Sequence, residues 1–335
     1  MRHSAPGSRP PLSWPASYPM VTFRAVMHGP PVSTPHAPVV VVSSNKGGVG
    51  KTTLAANLAI YVRALLEDLP VLALGLDDQE ALDRMFALGP QKAGAGNLKH
   101  GWAQRDLQRV IQLGEYGVHF VPSPPDVSLL KGRAENPVTL RRILERTAWP
   151  GIVVIDTKAD LEALTLNAFH AADRILIPVA DWGSLEEAGK IFRILERSTL
   201  GVRRARVVFT LVDRRARGEG DATLFEALLD EVRRRGWVHY ETYLSRSPRV
   251  EALNSATSIP LSILHHARGT AVHVQMRELT QEVLEDLGLA SFAAAEEEAM
   301  KEEPAILWGK RRLAAVTSRR PATRASELFG APRRR

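Results

Sequence analysis

Ser43-Ser44-Asn45-Lys46-Gly47-Gly48-Val49-Gly50-Lys51-Thr52-Thr53 is the stretch on which the fold turns. It follows Val39 to Val42, an unbroken β-branched run that reads as a buried parallel strand. It precedes Leu54-Ala55-Ala56-Asn57-Leu58-Ala59-Ile60, which reads as a helix. Strand, glycine turn and helix N-terminus are the context in which backbone amides close around a phosphate. There Lys51 reaches the β- and γ-phosphates and the Thr52 hydroxyl sits on Mg²⁺. The alternative is a surface glycine turn with two stray lysines, and the flanking strand and helix argue against it.

Asn45 stands where the ordinary loop has glycine, and a second lysine, Lys46, directly precedes Gly47-Gly48. The segment resembles the deviant phosphate loop, Lys-Gly-Gly-x-x-Gly-Lys-Ser/Thr, of the ParA/MinD family of dimerising ATPases. The resemblance implies that ATP and Mg²⁺ are bound by Lys46, Gly47, Gly48, Val49, Gly50, Lys51, Thr52 and Thr53. It also implies that Lys46 crosses to the nucleotide of a second subunit, so that ATP holds a homodimer face to face.

Pro70 to Leu74 reads as the second strand and runs into Gly75-Leu76-Asp77-Asp78-Gln79. This segment looks like the family's Asp-x-Asp-Pro-Gln. Asp77 falls on the second aspartate, the one on which hydrolysis depends, where a carboxylate orients water against the γ-phosphate. Gly75 replaces the first aspartate and Asp78 the proline, which puts metal binding and hydrolysis rate in question. A helix cap is the plainer reading of Asp77-Asp78.

Gly151 to Asp156 is a β-branched run ending in a carboxylate, at the edge where doubly wound sheets bind ligands. Asp156 is the expected Mg²⁺ residue, acting through water. The family's following prolines are replaced by Thr157-Lys158-Ala159, so the second switch is altered.

The remaining pattern stays in register. Helices are expected over Trp102–Leu113, Val138–Thr147, Ser184–Arg197 and Asp221–Gly236, and from about Ala267 to Leu287. Strands are expected at Val118–Pro122, Ala172–Val179, Arg206–Asp213 and Thr242–Arg246. The resemblance assigns Asp213, Ser245 and Arg246 to the nucleotide's adenine side. The expected fold class is α/β, a doubly wound, mainly parallel sheet with helices on both faces.

Three segments are expected. Residues 1–37, rich in Pro, Ser and His, read as a disordered arm, and Met20 and Met27 are alternative starts. Residues 38–288 form the ATPase domain. Residues 289–335 form an acidic-then-basic tail, with Glu296 to Glu303 followed by Lys310, Arg311, Arg312, Arg319, Arg320, Arg324 and Arg333 to Arg335.

The formal charge of +7 is unevenly placed: the last stretch, Lys310 to Arg335, carries nine cations against Glu327 alone, and without it the rest of the chain is close to neutral. A basic appendage suits an acidic partner such as nucleic acid or anionic lipid, or merely solubilises the chain. The absence of cysteine excludes disulfides, thiolate catalysis and the iron–sulfur or zinc-bridged relatives that share the loop. No apolar run approaches the roughly 18 residues of a membrane span.

These readings lead first to a ParA-like ATPase. It dimerises on ATP, binds DNA non-specifically and lets go when a ParB-like or other partner stimulates hydrolysis by Lys46, Lys51 and Asp77. It would position a plasmid, chromosome or protein cargo in the cytoplasm, on the nucleoid. Candidate DNA contacts are Arg203, Arg204, Arg206, Arg214, Arg215, Arg249 and Arg268. A second reading is a nucleotide-binding scaffold with slow or no hydrolysis, motivated by Gly75, Lys158 and Ala159. A third is a MinD-like membrane-cycling ATPase. Around a helix the tail's apolar and basic residues interleave, which gives a poor membrane face.

Overall fold

The computed structural model describes residues 37–78, 81–89, 96–215, 223–255 and 262–289. The expected arm and tail, apart from Ala37 and Leu289, lie outside the described residues, so the membrane reading of the tail does too. Seven strands make one sheet in the order β3-β4-β2-β5-β1-β6-β7. They are β1 (Val39–Val42), β2 (Val71–Leu76), β3 (Gln112–Leu113), β4 (His119–Val121), β5 (Ile152–Thr157), β6 (Arg174–Val179) and β7 (Ala205–Phe209). All pairings are parallel except β3 with β4.

Strand β1 shows why an apolar run rather than an alternating pattern encodes a central strand. Side chains on a strand alternate faces, so four consecutive valines supply two to each side. Val39 and Val41 enter one core, Val40 and Val42 the other. The second core is closed by α1 (Lys51–Leu65), α2 (Ala81–Phe86), α8 (Pro248–Ser255), α9 (Ile263–His266) and α10 (Ala271–Asp286). The first is closed by α3 (Leu98–Gln104), α4 (Thr139–Thr147), α5 (Ala163–Ala171), α6 (Trp182–Arg197) and α7 (Leu224–Arg234). The fold is therefore the doubly wound α/β arrangement of a P-loop NTPase.

The chain leaves β1 toward β2 on one side, and leaves β5 toward β6 on the other. This reversal opens a crevice at the C-terminal edge of the sheet, where the loops after β1 and β5 lie. The opposite edge is fastened by Asp286 at the end of α10. Its carboxylate accepts from Arg174 Nε at 2.7 Å, Arg206 Nη2 at 2.9 Å and the Tyr240 hydroxyl at 3.1 Å. Inside the second core Asn57 is buried with its polar atoms satisfied. It donates to Thr53 O at 2.8 Å and accepts the Ile263 amide at 2.8 Å, which ties α1 to α9.

Four sequence expectations shift. The helix expected at Trp102–Leu113 is instead α3, which starts earlier under an Asn97 cap. It stops where Arg105 turns left-handed (φ 58°), and Leu107 N is taken by Thr147 Oγ1 at 2.9 Å. Gln112–Leu113 then forms the antiparallel edge strand. Strand β7 ends at Phe209, because Leu211 is left-handed (φ 53°). Helix α7 begins only at Leu224, where Thr223 and Glu226 form a capping box. Thr242–Arg246 runs beside β7 with a single bridge, Val212 to Ser245, and is not a strand.

Gly151, at the entry to β5, lies against the Pro70 carbonyl. That oxygen accepts from Ile152 N at 3.0 Å and Trp149 Nε1 at 3.3 Å. A Cβ on Gly151 would sit 1.8 Å from it. Gly151→Ala must part β2 from β5, at a cost of about 3 kcal/mol or more. Thermal or urea unfolding checks this, and a variant as stable as the parent would refute the close approach.

Candidate phosphate-binding site

The loop between β1 and α1 is shaped by two left-handed glycines, Gly48 (φ 76°) and Gly50 (φ 85°). A side chain at either position would strain the turn. Three contacts hold the loop to the sheet. The Ser43 amide donates to Leu176 O at 3.0 Å, the Thr157 hydroxyl bonds Ser43 Oγ at 3.0 Å, and the Thr210 hydroxyl donates to Val49 O at 2.9 Å. Strands β5 and β6 and the residue after β7 thus each fasten it.

Lys51 opens α1 and is 8% exposed. Its ammonium donates to Lys46 O at 3.2 Å, across the mouth of the loop. Burial pulls it below the ordinary lysine range, opposed by the charges of Asp156, Asp77 and Asp160. Asp156, at the end of β5, is 1% exposed. Burial pushes its carboxyl up to about 7, against the Thr52 hydroxyl bond and the Lys51 charge. Its Oδ1 is buried without a hydrogen-bond partner.

A buried orphan acceptor is rare and points to a missing cation or water. Thr52 and Asp156 therefore fit a Mg²⁺ site, with Asp77 lying close enough to act on both Lys51 and Asp156. Among the described residues no three His, Cys, Asp or Glu side chains form a metal cage. Mg²⁺ takes one or two protein oxygens, here a hydroxyl and a carboxylate, and completes its shell with phosphate and water.

Lys46 sits on the open rim. Its ammonium is gripped by both oxygens of Asp181 at 2.7 Å, and Asp181 in turn caps α6 through the Ser184 amide at 2.8 Å. Burial opposes ionisation of Asp181, but Lys46 and Ser184 outweigh it and hold the carboxyl below its usual range. A Cβ on Gly183 would lie 2.8 Å from the Lys46 Nζ, so glycine keeps this place open for the lysine. Asn45 bonds Glu187 on the same helix, and Trp182 beside them is 45% exposed.

The altered segments meet each other. Lys158 Nζ lies 2.7 Å from Asp78 Oδ2, and Asp78 Oδ1 accepts the Ser128 amide at 2.9 Å. At Gly75, where the resemblance expects a carboxylate, a Cβ would meet Ser123 Oγ at 3.1 Å and Asp83 Oδ1 at 3.7 Å. The buried Asp83 carboxylate from α2 fills that space and bonds the Ser123 amide.

Asp213, Ser245 and Arg246 gather past the end of β7, about 10 Å across the sheet from β1. Ser245 pairs with Gln275 at 2.9 Å, and Asp213 acts on the Arg246 charge. The candidate arginines divide. Arg203, Arg204 and Arg206 lie at the start of β7, on the edge remote from the loop. Arg206 is bound to Asp286, and Arg204 donates to Ala172 O at 2.6 Å. Arg214 and Arg215 follow the other end of β7 and are exposed. Arg249 and Arg268 are exposed and near each other, donating to the carbonyls of His266 and Leu264 on α9.

Sequence reasoning missed Asp181, Asp83 and Thr210. Asp181 carried a signal, since Asp-x-x-Ser directly before an apolar-periodic helix marks a cap. The other two are recognisable only once the strands are aligned.

With its carboxyl near 7, Asp156 is largely protonated below that pH, and a cation must displace the proton. Mg²⁺-nucleotide binding near pH 7 should therefore release a proton from Asp156. Affinity should fall by up to about tenfold per unit below pH 7. Calorimetry in buffers of differing ionisation heat measures the release, and Asp156→Asn should abolish it. Equal release from both proteins would refute the assignment.

A family profile described as AAA domain matches residues 37–197. The chromosome-partitioning ATPase Soj of Thermus thermophilus is 29% identical over 248 residues, spanning 73% of this chain and 94% of its own. The chromosome partitioning protein ParA of Caulobacter vibrioides is 29% identical over 227 residues, 63% of this chain and 82% of its own. Among solved structures, an ATP complex of McdA from Cyanothece aligns with a TM-score of 0.60 at 16% identity. The alignment covers 74% of this chain and 96% of that one. By these matches, and by the loop that carries Lys46 and Lys51, the chain is similar to the ParA/Soj family of P-loop ATPases.

Proposed function

We infer that the protein is a partitioning-type ATPase that closes into a homodimer on ATP and binds DNA without reading its sequence. It releases both when a ParB-like or other partner stimulates hydrolysis. The observation that carries this is the position of Lys46. It is the family's signature lysine, on the exposed rim of the loop, held by a half-exposed carboxylate rather than buried in its own phosphate site. An exposed pair of this kind contributes little and is readily exchanged for a phosphate.

Within one subunit the geometry and the resemblance together support a role for each residue. Gly47 to Thr53 supply backbone amides and the α1 N-terminus to the phosphates. Lys51, buried beside carboxylates, is the fixed cation for the β- and γ-phosphates. Thr52 and Asp156 hold Mg²⁺, which when bound neutralises developing phosphate charge. Asp77 orients the attacking water, and Asp213, Ser245 and Arg246 line the adenine side. The relatives' names support a role in partitioning a chromosome or other cargo.

Of the arginines, Arg249, Arg268, Arg214 and Arg215 are the better DNA contacts, because they are exposed, whereas Arg206 is bound to Asp286 and lies with Arg203 and Arg204 on the edge remote from the loop. Gly75 favours one rival, a switch that binds nucleotide and hydrolyses it slowly. Its missing carboxylate is replaced from α2 by Asp83, which is already engaged with Ser123.

Retention on a non-specific duplex should require ATP and Mg²⁺ and disappear in Lys51→Ala. The Arg249→Glu, Arg268→Glu double variant should weaken it and flatten the salt slope by about 0.9 for each phosphate no longer neutralised. Retention indifferent to nucleotide would overturn the proposal. Turnover that vanishes in Asp77→Ala and rises with DNA and partner would dispose of the slow switch.

A further inference from the structure

We propose that Lys158 is a second phosphate-binding cation, which trades Asp78 for the γ-phosphate of ATP in its own subunit. The inference rests on the nucleotide-binding reading above and adds to it a residue for which the family pattern has no counterpart.

Strands β2 and β5 are neighbours, with Leu76 opposite Thr157 at their C-terminal ends. The next residues on each strand therefore leave the sheet side by side, above the crevice. Lys158 leaves from β5, Asp77 and Asp78 from β2. The Lys158–Asp78 ion pair, at 2.7 Å, closes the gap between them. Asp78 is fixed from behind by the Ser128 amide. Its partner lysine is 40% exposed and lies in a short connection rather than a helix or strand, so the ammonium can swing while the carboxylate stays.

Where it can swing is set by its surroundings. Asp77 and Asp160, two of the three carboxylates whose charges act on Lys51, act on Lys158 as well. The two ammonium groups thus share two carboxylates, Lys51 from the floor of the site and Lys158 from its wall. Lys51 is buried and fixed by Lys46 O. Lys158 is itself 40% exposed and is paired with Asp78 at the surface, and such a pair is weak in water. A terminal phosphate carries more charge than one carboxylate and presents three acceptor oxygens, so it outcompetes Asp78 for the ammonium. ADP lacks that group and leaves the Lys158–Asp78 pair in place. Lys158 consequently discriminates ATP from ADP, and the exchange separates the exits of β2 and β5 when the γ-phosphate arrives.

A plain structural strap makes a different prediction. If the pair merely held two loops together, neutralising either partner would have the same effect, on both nucleotides alike. If Lys158 is a phosphate ligand that Asp78 restrains, the two changes act in opposite directions on ATP.

The test is equilibrium binding of a non-hydrolysable ATP analogue and of ADP, each with Mg²⁺, to the full chain and to Lys158→Ala, Lys158→Arg, Asp78→Asn and the Lys158→Ala, Asp78→Asn double variant. Lys158→Ala should weaken the analogue about tenfold and ADP less than twofold, in line with removal of one charge-assisted bond. Lys158→Arg should retain most of the discrimination. Asp78→Asn should tighten the analogue, and this gain should vanish in the double variant. Parallel losses for Lys158→Ala and Asp78→Asn on both nucleotides would overturn the proposal in favour of a strap. Unchanged discrimination in Lys158→Ala would overturn it outright. Failure of the parent chain to bind either nucleotide would sink the ATPase reading instead, which keeps the two results apart.

Discussion

Two opposite charges are kept out of water beneath the phosphate loop, and their desolvation sets the terms for what surrounds them. Asp156 and Lys51 are nearly inaccessible, and burial drives the carboxyl up and the ammonium down. Removing such charges from water costs far more than their mutual attraction returns, unless further partners complete them. Here completion is partial: Thr52 serves one side of Asp156 while Oδ1 has no partner. A folded protein tolerates that arrangement where a ligand supplies the remainder, and the loop above it has the shape to admit one.

The sheet decides how far the site extends. Because β1, β5 and β6 are adjacent and parallel, the residues that follow them emerge at one edge within a strand spacing or two of each other. Asp156, the phosphate loop and Asp181 meet for that reason, although more than a hundred residues separate the loop from the others. The reverse edge is used differently. Asp286 gathers Arg174, Arg206 and Tyr240 into one network that binds α10 to β6 and β7. Three of the arginines considered as DNA contacts lie at that remote edge, and the network commits one of them, Arg206, to holding the molecule together.

The parts of this architecture that could be read in the sequence are those written in contiguous residues. Val39–Val42 and Ile152–Asp156 announce buried strands by their β-branching, and the glycine spacing between Lys46 and Lys51 announces the loop. The sheet with helices on both faces follows from those strands alternating with helical periodicity. The positions that escaped are set by tertiary partners. Nothing local tells that Lys46 finds Asp181, that Asp83 fills the space at Gly75, or that Lys158 meets Asp78. Arg206 reads as one more exposed cation until α10 is packed against it. The misplaced helix near Trp102 has a local cause, since the Asn97 cap and the left-handed Arg105 outrank the apolar spacing that follows.

The grip of Asp181 on Lys46 has a mechanical side. Asp181 is the first anchor of α6, a helix of 16 residues, about 24 Å of stiff rod. Along its flank Glu186 holds Arg235, Phe192 stacks on Trp237 at 4.0 Å, and the Arg235 guanidinium covers that indole. The lysine is thus fastened to one end of a beam whose side carries the α7 region. The rim of the loop and the α7 region therefore share one rigid element, and the position of each is set by the same helix.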